Sequence, residues 1–118
     1  MATSTFKRKA ASATSSGQSI YTVPAVVNNT SVGLIMGLIA ANTGTSSTTV
    51  DVFIRKIVAG PANDDKYIIK SAPVPVGSTL SILDGKIVME ADEEIFAVSA
   101  GNVDLTLSVL EIATWVVI

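Results

Sequence analysis

Apolar and polar residues alternate along most of the chain beyond residue 18, which is the pattern of strands that bury one face. The clearest example is 103–109, where four aliphatic residues alternate with Asp104, Thr106 and Ser108. No segment has the period of a helix. Eight strands are predicted, at 19–23, 31–42, 48–58, 66–71, 78–83, 86–90, 94–99 and 103–112.

Turn-forming residues separate these strands. Asp84-Gly85 fits a two-residue hairpin of type I′, because glycine accepts the positive φ that this turn requires. Pro73 and Pro75 cannot lie in a central strand, so they indicate an edge strand or a crossover between sheets. Further loops are predicted at 42–44, 60–65 and 100–102. The pattern therefore predicts an all-β fold, an antiparallel β-sandwich of jelly-roll or immunoglobulin-like type with about eight strands; a closed barrel is the alternative.

Residues 1–19 differ from the rest of the chain. They are rich in Ser, Thr and Ala and lack any periodicity, so they cannot bury enough apolar area to offset their ordering entropy. The sequence predicts two parts: an extended N-terminal arm at 1–19, ordered only when something else holds it, and a β-sandwich domain at 20–118.

Composition narrows the class of protein. Hydrophobic residues make up 48% of the chain, charged residues only 15%, and the mean hydropathy is +0.53. The longest mostly apolar run, 32–41, is far shorter than the ~20 residues of a spanning helix, and no apolar signal segment opens the chain. Gly33 and Gly37 in this run indicate a bulge or a close backbone approach. No membrane segment is expected.

The chain has neither cysteine nor histidine. Disulfides, thiolate nucleophiles, imidazole metal ligands and Ser-His-Asp triads are therefore excluded. Carboxylates could still act, either as a hydrolase pair or as calcium ligands at the acidic turn 90–94, but that turn lacks the EF-hand order. The six aromatic residues are scattered, which disfavours a sugar-stacking surface. We expect no enzyme, no cofactor, no metal and no small-molecule substrate.

Charge is unevenly distributed. Residues 1–22 carry +3 and no acid, whereas the remainder carries −5, which gives the net −2. The cluster Phe6, Lys7, Arg8 and Lys9 is the predicted partner-binding segment, with an acidic protein surface as its expected target. Three charges neutralise too few phosphates for tight nucleic-acid binding. A solvated tail without a partner is the remaining alternative.

Some apolar residues fall on the face opposite to the predicted core. Phe53 opposes the aliphatic positions 50, 52 and 54, Leu110 opposes 107 and 109, and the chain ends in an apolar stretch that includes Trp115 and Val117. Apolar residues on both faces of a small sandwich imply burial against another chain. These four residues are the predicted subunit interface, and a homo-oligomer, trimer or dimer, is expected.

Several stretches resemble small β-rich virion proteins of tailed bacteriophages, in particular cyanobacterial and marine phages. The resemblance covers about residues 20–112, and the turn 91–93 departs from it, since the relatives usually place a glycine before the acid. It rests on KSAPVPVG at 70–77, LDGKIVME at 83–90, FAVS at 96–99 and LTLSVLEI at 105–112.

This resemblance implies a structural component of the virion. The implied role is a capsid cement or decoration protein that binds the major capsid protein, or other virion subunits, on the capsid exterior after synthesis in the host cytoplasm. A position in the neck, the tail or a fibre attachment is the near alternative. A receptor-binding or carbohydrate-binding module of the virion, and a carboxylate-only hydrolase, are the other classes.

Overall fold

The computed structural model describes residues 2–24, 29–56, 64–83 and 85–115. All regular structure in these ranges is β. The same ranges contain no helix that is long and apolar enough to cross a membrane. Each of the eight predicted strands is confirmed, with bounds shifted by a few residues, and one further strand precedes them; positions 57–58 of the predicted strand 48–58 lie outside the described residues. The strands are β1 (Ala2–Ser12), β2 (Gln18–Thr22), β3 (Asn29–Asn42), β4 (Thr48–Lys56), β5 (Asp64–Val74), β6 (Thr79–Ser81), β7 (Ile87–Glu90), β8 (Glu93–Val98) and β9 (Val103–Trp115).

The strands form two antiparallel sheets. Sheet A has the order β1-β9-β3, and the short strands β6 and β7 follow one another along the free side of β3. Sheet B has the order β2-β8-β4-β5. Successive strands alternate between the sheets except at β4–β5 and β6–β7. With β6 and β7 counted as one interrupted strand, this is an eight-stranded jelly roll, which confirms the predicted sandwich.

The core lies between the two sheets, where the alternating residues meet. The four aliphatic side chains of β9 that were predicted to face inward are all fully buried. They pack in one cluster with aliphatic residues of β4 and β8 from sheet B. Burial of each such side chain contributes roughly 1.5–3 kcal/mol, so this pairing of inner faces is the main source of stability. The buried β9 residues are Val103, Leu105, Leu107 and Val109.

Residues 2–12 are not a separate arm. They form β1, which pairs with β9 through eleven consecutive residue pairs, from Ala2 opposite Thr114 to Ser12 opposite Asp104. We therefore revise the predicted division at residue 19, because this segment belongs to sheet A. The side chains from Ser4 to Ala10 are exposed, so the segment has no alternation of buried and exposed residues that would predict a strand. It is held in place by backbone hydrogen bonds to β9, about 100 residues away.

Asp84-Gly85 does not close a hairpin. Although Gly85 has the expected positive φ of 130° (Asp84 lies outside the described residues), β6 and β7 both pair with β3 and run in the same direction. The glycine therefore marks an interruption in one sheet edge. The proline prediction is confirmed, since Pro73 lies in the edge strand β5 and Pro75 lies in the crossover to β6.

Both glycines of β3 have the structural roles that the sequence indicated. Gly37 lies at an irregularity in the register between β3 and β9. At Gly33 an added Cβ would lie 3.1 Å from Val23 and 3.3 Å from the ring of Tyr21. The two sheets thus approach each other closely here, and that brings Tyr21 of sheet B against the inner face of sheet A.

Candidate assembly surface

An apolar row crosses the outer face of sheet A. Phe6 of β1 lies opposite Leu110 of β9, Leu110 lies opposite Leu34 of β3, and Leu34 lies opposite Val88 of β7. Side chains that are opposite in an antiparallel ladder are ~5 Å apart, so the four residues form a continuous strip. The two ends are the most exposed, with Phe6 at 73% and Val88 at 62%.

A second row extends this strip. Ile112 lies opposite Val32, one step along the same face, and Ile112 is 36% exposed. A sandwich with a complete core has no internal use for these side chains, and contiguous exposed apolar area of this kind marks interaction sites. We call the six residues the sheet A patch: Phe6, Val32, Leu34, Val88, Leu110 and Ile112.

Two opposite charges border the sheet A patch. Arg8 follows Phe6 by two residues on β1, and Glu90 follows Val88 by two residues on β7. Both are exposed, and the side chain of neither forms an ion pair or hydrogen bond with any residue in the described ranges. They therefore remain available to a partner.

The inner face of β1 carries cations instead of apolar residues. Lys7 and Lys9 line a depression between β1 and β2, and Lys7 Nζ forms an ion pair of 2.9 Å with Glu111 Oε1. Tyr21 of β2 donates a hydrogen bond of 2.5 Å to Glu111 Oε2. Lysines on an edge strand also discourage edge-to-edge pairing with other chains. Lys7 thus serves the sandwich itself, whereas the sequence predicted that it would reach an external acidic surface; Lys9 lines the same depression.

This cluster perturbs the pKa of both Tyr21 and Glu111. Burial would raise the pKa of the Glu111 carboxyl, but hydrogen bonds from Tyr21 and Lys7 and the charges of Lys7 and Lys9 outweigh it, so the pKa falls below its ordinary value. The pKa of Tyr21 is raised well above its ordinary value, first by burial and then by the hydrogen bond and charge of Glu111. Glu111 therefore stays ionised and Tyr21 stays protonated near neutral pH.

The outer face of sheet B carries an aromatic cluster. Phe53 stacks on Phe96 with a centroid distance of 5.7 Å and contacts Tyr67 at 5.0 Å. The Arg55 guanidinium lies 4.4 Å above Phe96 and forms a two-bond pair with Asp65. Three of the six aromatics are thus together, where the sequence suggested that all were scattered. Nothing local in the sequence signals this, because the three strands pair across long sequence separations.

Phe53 needs no other chain to cover it. It does point away from the core as predicted, but it is only 4% exposed, because Phe96, Tyr67 and Arg55 surround it. We correct the interface prediction on this point.

The other predicted residues divide between the two faces of sheet A. Phe6, Arg8 and Leu110 lie at the outer face, and Lys7 and Lys9 lie at the inner face. Val117 and the side chain of Trp115 fall outside the described residues. Sequence reasoning missed Leu34, Val88 and Glu111, and also Val32 and Ile112 of the sheet A patch. The first two belong to strands whose alternation was visible, but only the register places them beside Leu110.

The acidic turn does not assemble a cation site. The Glu93 carboxylate accepts a hydrogen bond of 2.6 Å from the Glu90 backbone N–H, and Glu94 accepts from Ser19 and Thr22. The carboxylates of Glu93 and Glu94 thus have local roles. In the described part of the chain no group of three or more acids could hold a metal ion.

Three surface depressions in the described ranges could in principle hold a pair of acids. The largest, about 350 Å³, is lined by residues 44–48 and 100–102 and contains no acid. The other two, about 240 and 270 Å³, contain one acid each, Glu111 and Asp104. None of the three offers the pair of carboxylates that glycoside hydrolysis needs.

No protein-family model matches this chain, and no curated protein matches it in sequence. Among solved structures, its fold is similar to that of a chain from Bacillus endospore appendages, described as disulfide-linked pili. The identity is 12% and the TM-score 0.51, over 98% of this chain and 89% of that chain. It is also similar to a chain of infectious bursal disease virus, Gx strain, with 8% identity and a TM-score of 0.55, over 98% of this chain and 32% of the viral chain. At these identities the likeness is one of fold.

Proposed function

We propose that this chain is a non-enzymatic structural subunit of a larger particle. The observation that carries the proposal is the sheet A patch, a two-row apolar surface on the outside of a sandwich whose core is already complete. Burying apolar area of this kind drives subunit association. The absence of cysteine and histidine from the whole sequence supports the same class of function.

The specific role we propose is that of a capsid cement or decoration protein on the exterior of a phage virion, bound to the major capsid protein. Three findings support it: the jelly-roll topology, which is common in viral capsid domains; the fold likeness to a viral chain and a pilus chain; and the sequence resemblance over 20–112. A fold of this kind hosts many functions, so the role depends on the sheet A patch more than on the fold. Disulfide links of the kind described for the pili are impossible here, because the chain has no cysteine.

Copy number in purified particles tests this role. Quantitative mass spectrometry of the virion should give hundreds of copies for a shell protein that follows capsid symmetry. A dozen copies or fewer would instead place the chain in the neck, the tail or a fibre attachment. Absence from purified particles would contradict a virion role altogether.

A matched pair of variants tests the surface. Val88→Ser removes an apolar residue from the sheet A patch, whereas Val76→Ser removes one that is 49% exposed at the β5–β6 turn, away from the patch. We expect Val88→Ser to lower the number of copies retained on particles and Val76→Ser to leave it unchanged. Equal retention of both variants would argue against the patch as the assembly surface.

A further inference from the structure

The charges beside the sheet A patch lie at opposite corners. β1 and β7 are the outermost strands of this face and run in opposite directions, since each intervening pairing is antiparallel. Arg8 and Glu90 each lie two residues beyond the end of the apolar row on their own strand. Because the two strands run in opposite directions, the two charges lie on opposite sides of the row. With strands ~4.8 Å apart and a rise of ~3.4 Å per residue, the corners span a nearly square area about 14 Å on a side.

We propose that a second copy of this chain docks on the sheet A patch, with Arg8 paired to Glu90 of the partner subunit and Glu90 paired to the partner subunit's Arg8. This names a partner for the surface on which the proposed function rests. The two copies are related by a twofold axis that lies between the facing sheets. It runs along the diagonal of the square area that joins the corners at Ser4 and Lys86. A twofold contact uses the same surface on both subunits, so one favourable charge pair occurs twice.

Charge and apolar contact together select this axis among the simple placements. An axis along the strands sets Arg8 against the partner's Lys86, and an axis along the apolar row sets it against the partner's Ser4. An axis along the diagonal through Arg8 sets it against the partner's Arg8. The axis along the apolar row also joins opposite charges, Lys86 and the partner's Glu90, but it sets Ile112 and Val32 against the partner's Ser108 and Gly37. The remaining diagonal joins Arg8 to the partner's Glu90 and covers Ile112 and Val32 with the partner's Phe6. Like-charge contacts across an interface are strongly unfavourable, so they reject the axis along the strands and the diagonal through Arg8.

The selected geometry also packs the apolar residues. An axis at about 45° to the strands makes the strands of the two copies cross at about 90°, one of the two favoured angles for packed sheets. Phe6 then lies over the gap between Ile112 and Val32 of the partner subunit. Val88 lies over the region of the partner's Ser108 and Gly37.

One contact in this geometry is unfavourable. Lys86 lies on the axis at a third corner and faces the partner's Lys86. It precedes β7 and is exposed outside the ladder, so its flexible side chain can turn toward water at some cost. Removing this charge should therefore tighten the dimer. With the axis along the apolar row it would instead break the pair of Lys86 with the partner's Glu90, so a weaker dimer would overturn the proposed placement.

Sedimentation equilibrium of the purified full-length chain tests the proposal. We expect a concentration-dependent dimer at neutral pH and low salt. Arg8→Glu should raise the dimer Kd at least tenfold, the double variant Arg8→Glu/Glu90→Arg should restore it to within about threefold, and Lys86→Ser should lower it. Lys56→Glu, an exposed cation at the end of β4 in sheet B, is the matched control and should change nothing. Circular dichroism of each variant checks that it is folded.

A monomer at high micromolar concentration would overturn the proposal, as would a dimer that is insensitive to Arg8→Glu or not restored by the double variant. These results leave the proposed function standing if Val88→Ser still lowers retention on particles, because the sheet A patch would then bind a different subunit. Conversely, a charge-dependent dimer in a chain absent from particles would support the dimer and contradict the virion role.

Discussion

Replacing Tyr21 with Phe removes one oxygen atom from the cluster that joins the two sheets below β1. The phenol donates a hydrogen bond of 2.5 Å to Glu111, whose side chain is only 16% exposed, and Tyr21 itself is 4% exposed. A hydrogen bond to a charged group contributes about 1.5–3 kcal/mol net, and here its loss leaves a half-buried carboxylate with Lys7 as its remaining partner. We expect Tyr21→Phe to lower the free energy of unfolding by about 2 kcal/mol.

Urea denaturation at pH 7 measures this change. With a slope of roughly 2 kcal/mol per molar urea for a domain of this size, the midpoint should fall by about 1 M. The matched control is Tyr67→Phe, since Tyr67 is 48% exposed and its hydroxyl forms no hydrogen bond in the described part of the chain. A loss below about 0.5 kcal/mol in Tyr21→Phe, or an equal loss in both variants, would refute the assigned role of the hydroxyl.

The same variant has a predicted pH dependence. Because the folded pKa of Glu111 is depressed, its stabilising contribution is present above the unfolded glutamate pKa of ~4.3 and is lost as the pH falls through the folded pKa. The difference between wild type and Tyr21→Phe should thus be constant from about pH 5 to 9 and shrink under acid conditions. Tyr21 has a raised pKa, so it adds no change until the pH approaches the unfolded tyrosine pKa of ~10. A difference that grows on acidification would contradict this assignment.

Five further substitutions test the packing by equilibrium unfolding. Leu107→Ala empties a fully buried site and should cost about 2–5 kcal/mol, whereas Leu110→Ala on the outer face should cost under about 1 kcal/mol; similar losses would contradict the assigned faces. Gly101→Ala places a Cβ 2.7 Å from a neighbouring threonine and should lower the free energy of unfolding by about 1–3 kcal/mol. Gly37→Ala has open space around the added Cβ and should be nearly neutral, so a larger loss in Gly37→Ala than in Gly101→Ala would contradict this packing. Arg55→Lys loses the two-bond pair and the ring stacking and should cost about 1 kcal/mol; no change would mean that the aromatic cluster holds without it.

The core was predictable because its signal is local. In 103–109 the strict alternation of aliphatic and polar residues has one satisfactory placement, with the aliphatic side chains between two sheets, and a slip of one residue would expose all of them. Turn residues likewise located most connections. The failure at Asp84-Gly85 shows the limit of that signal, because a glycine with positive φ serves a break between collinear strands as well as a hairpin.

The sheet A patch was predictable only in part. Leu110 could be assigned to the outer face from its own strand, and Phe6 was singled out beside the basic cluster. Leu34 and Val88 join them only through the pairing of β9, β3 and β7, which are far apart in sequence. Arg8 and Glu90 become opposite corners of one surface for the same reason.

By itself, the sequence determined the class of fold, the inner faces of its strands and the exclusion of cysteine and histidine chemistry, because residue type and a period of two act within a few residues. Only the tertiary structure decided the place of β1, the burial of Phe53 and the partners of Lys7 and Glu111. Each of these depends on hydrogen bonds or contacts between residues separated by ten to more than a hundred positions, and no local pattern records which of many possible pairings lowers the free energy most.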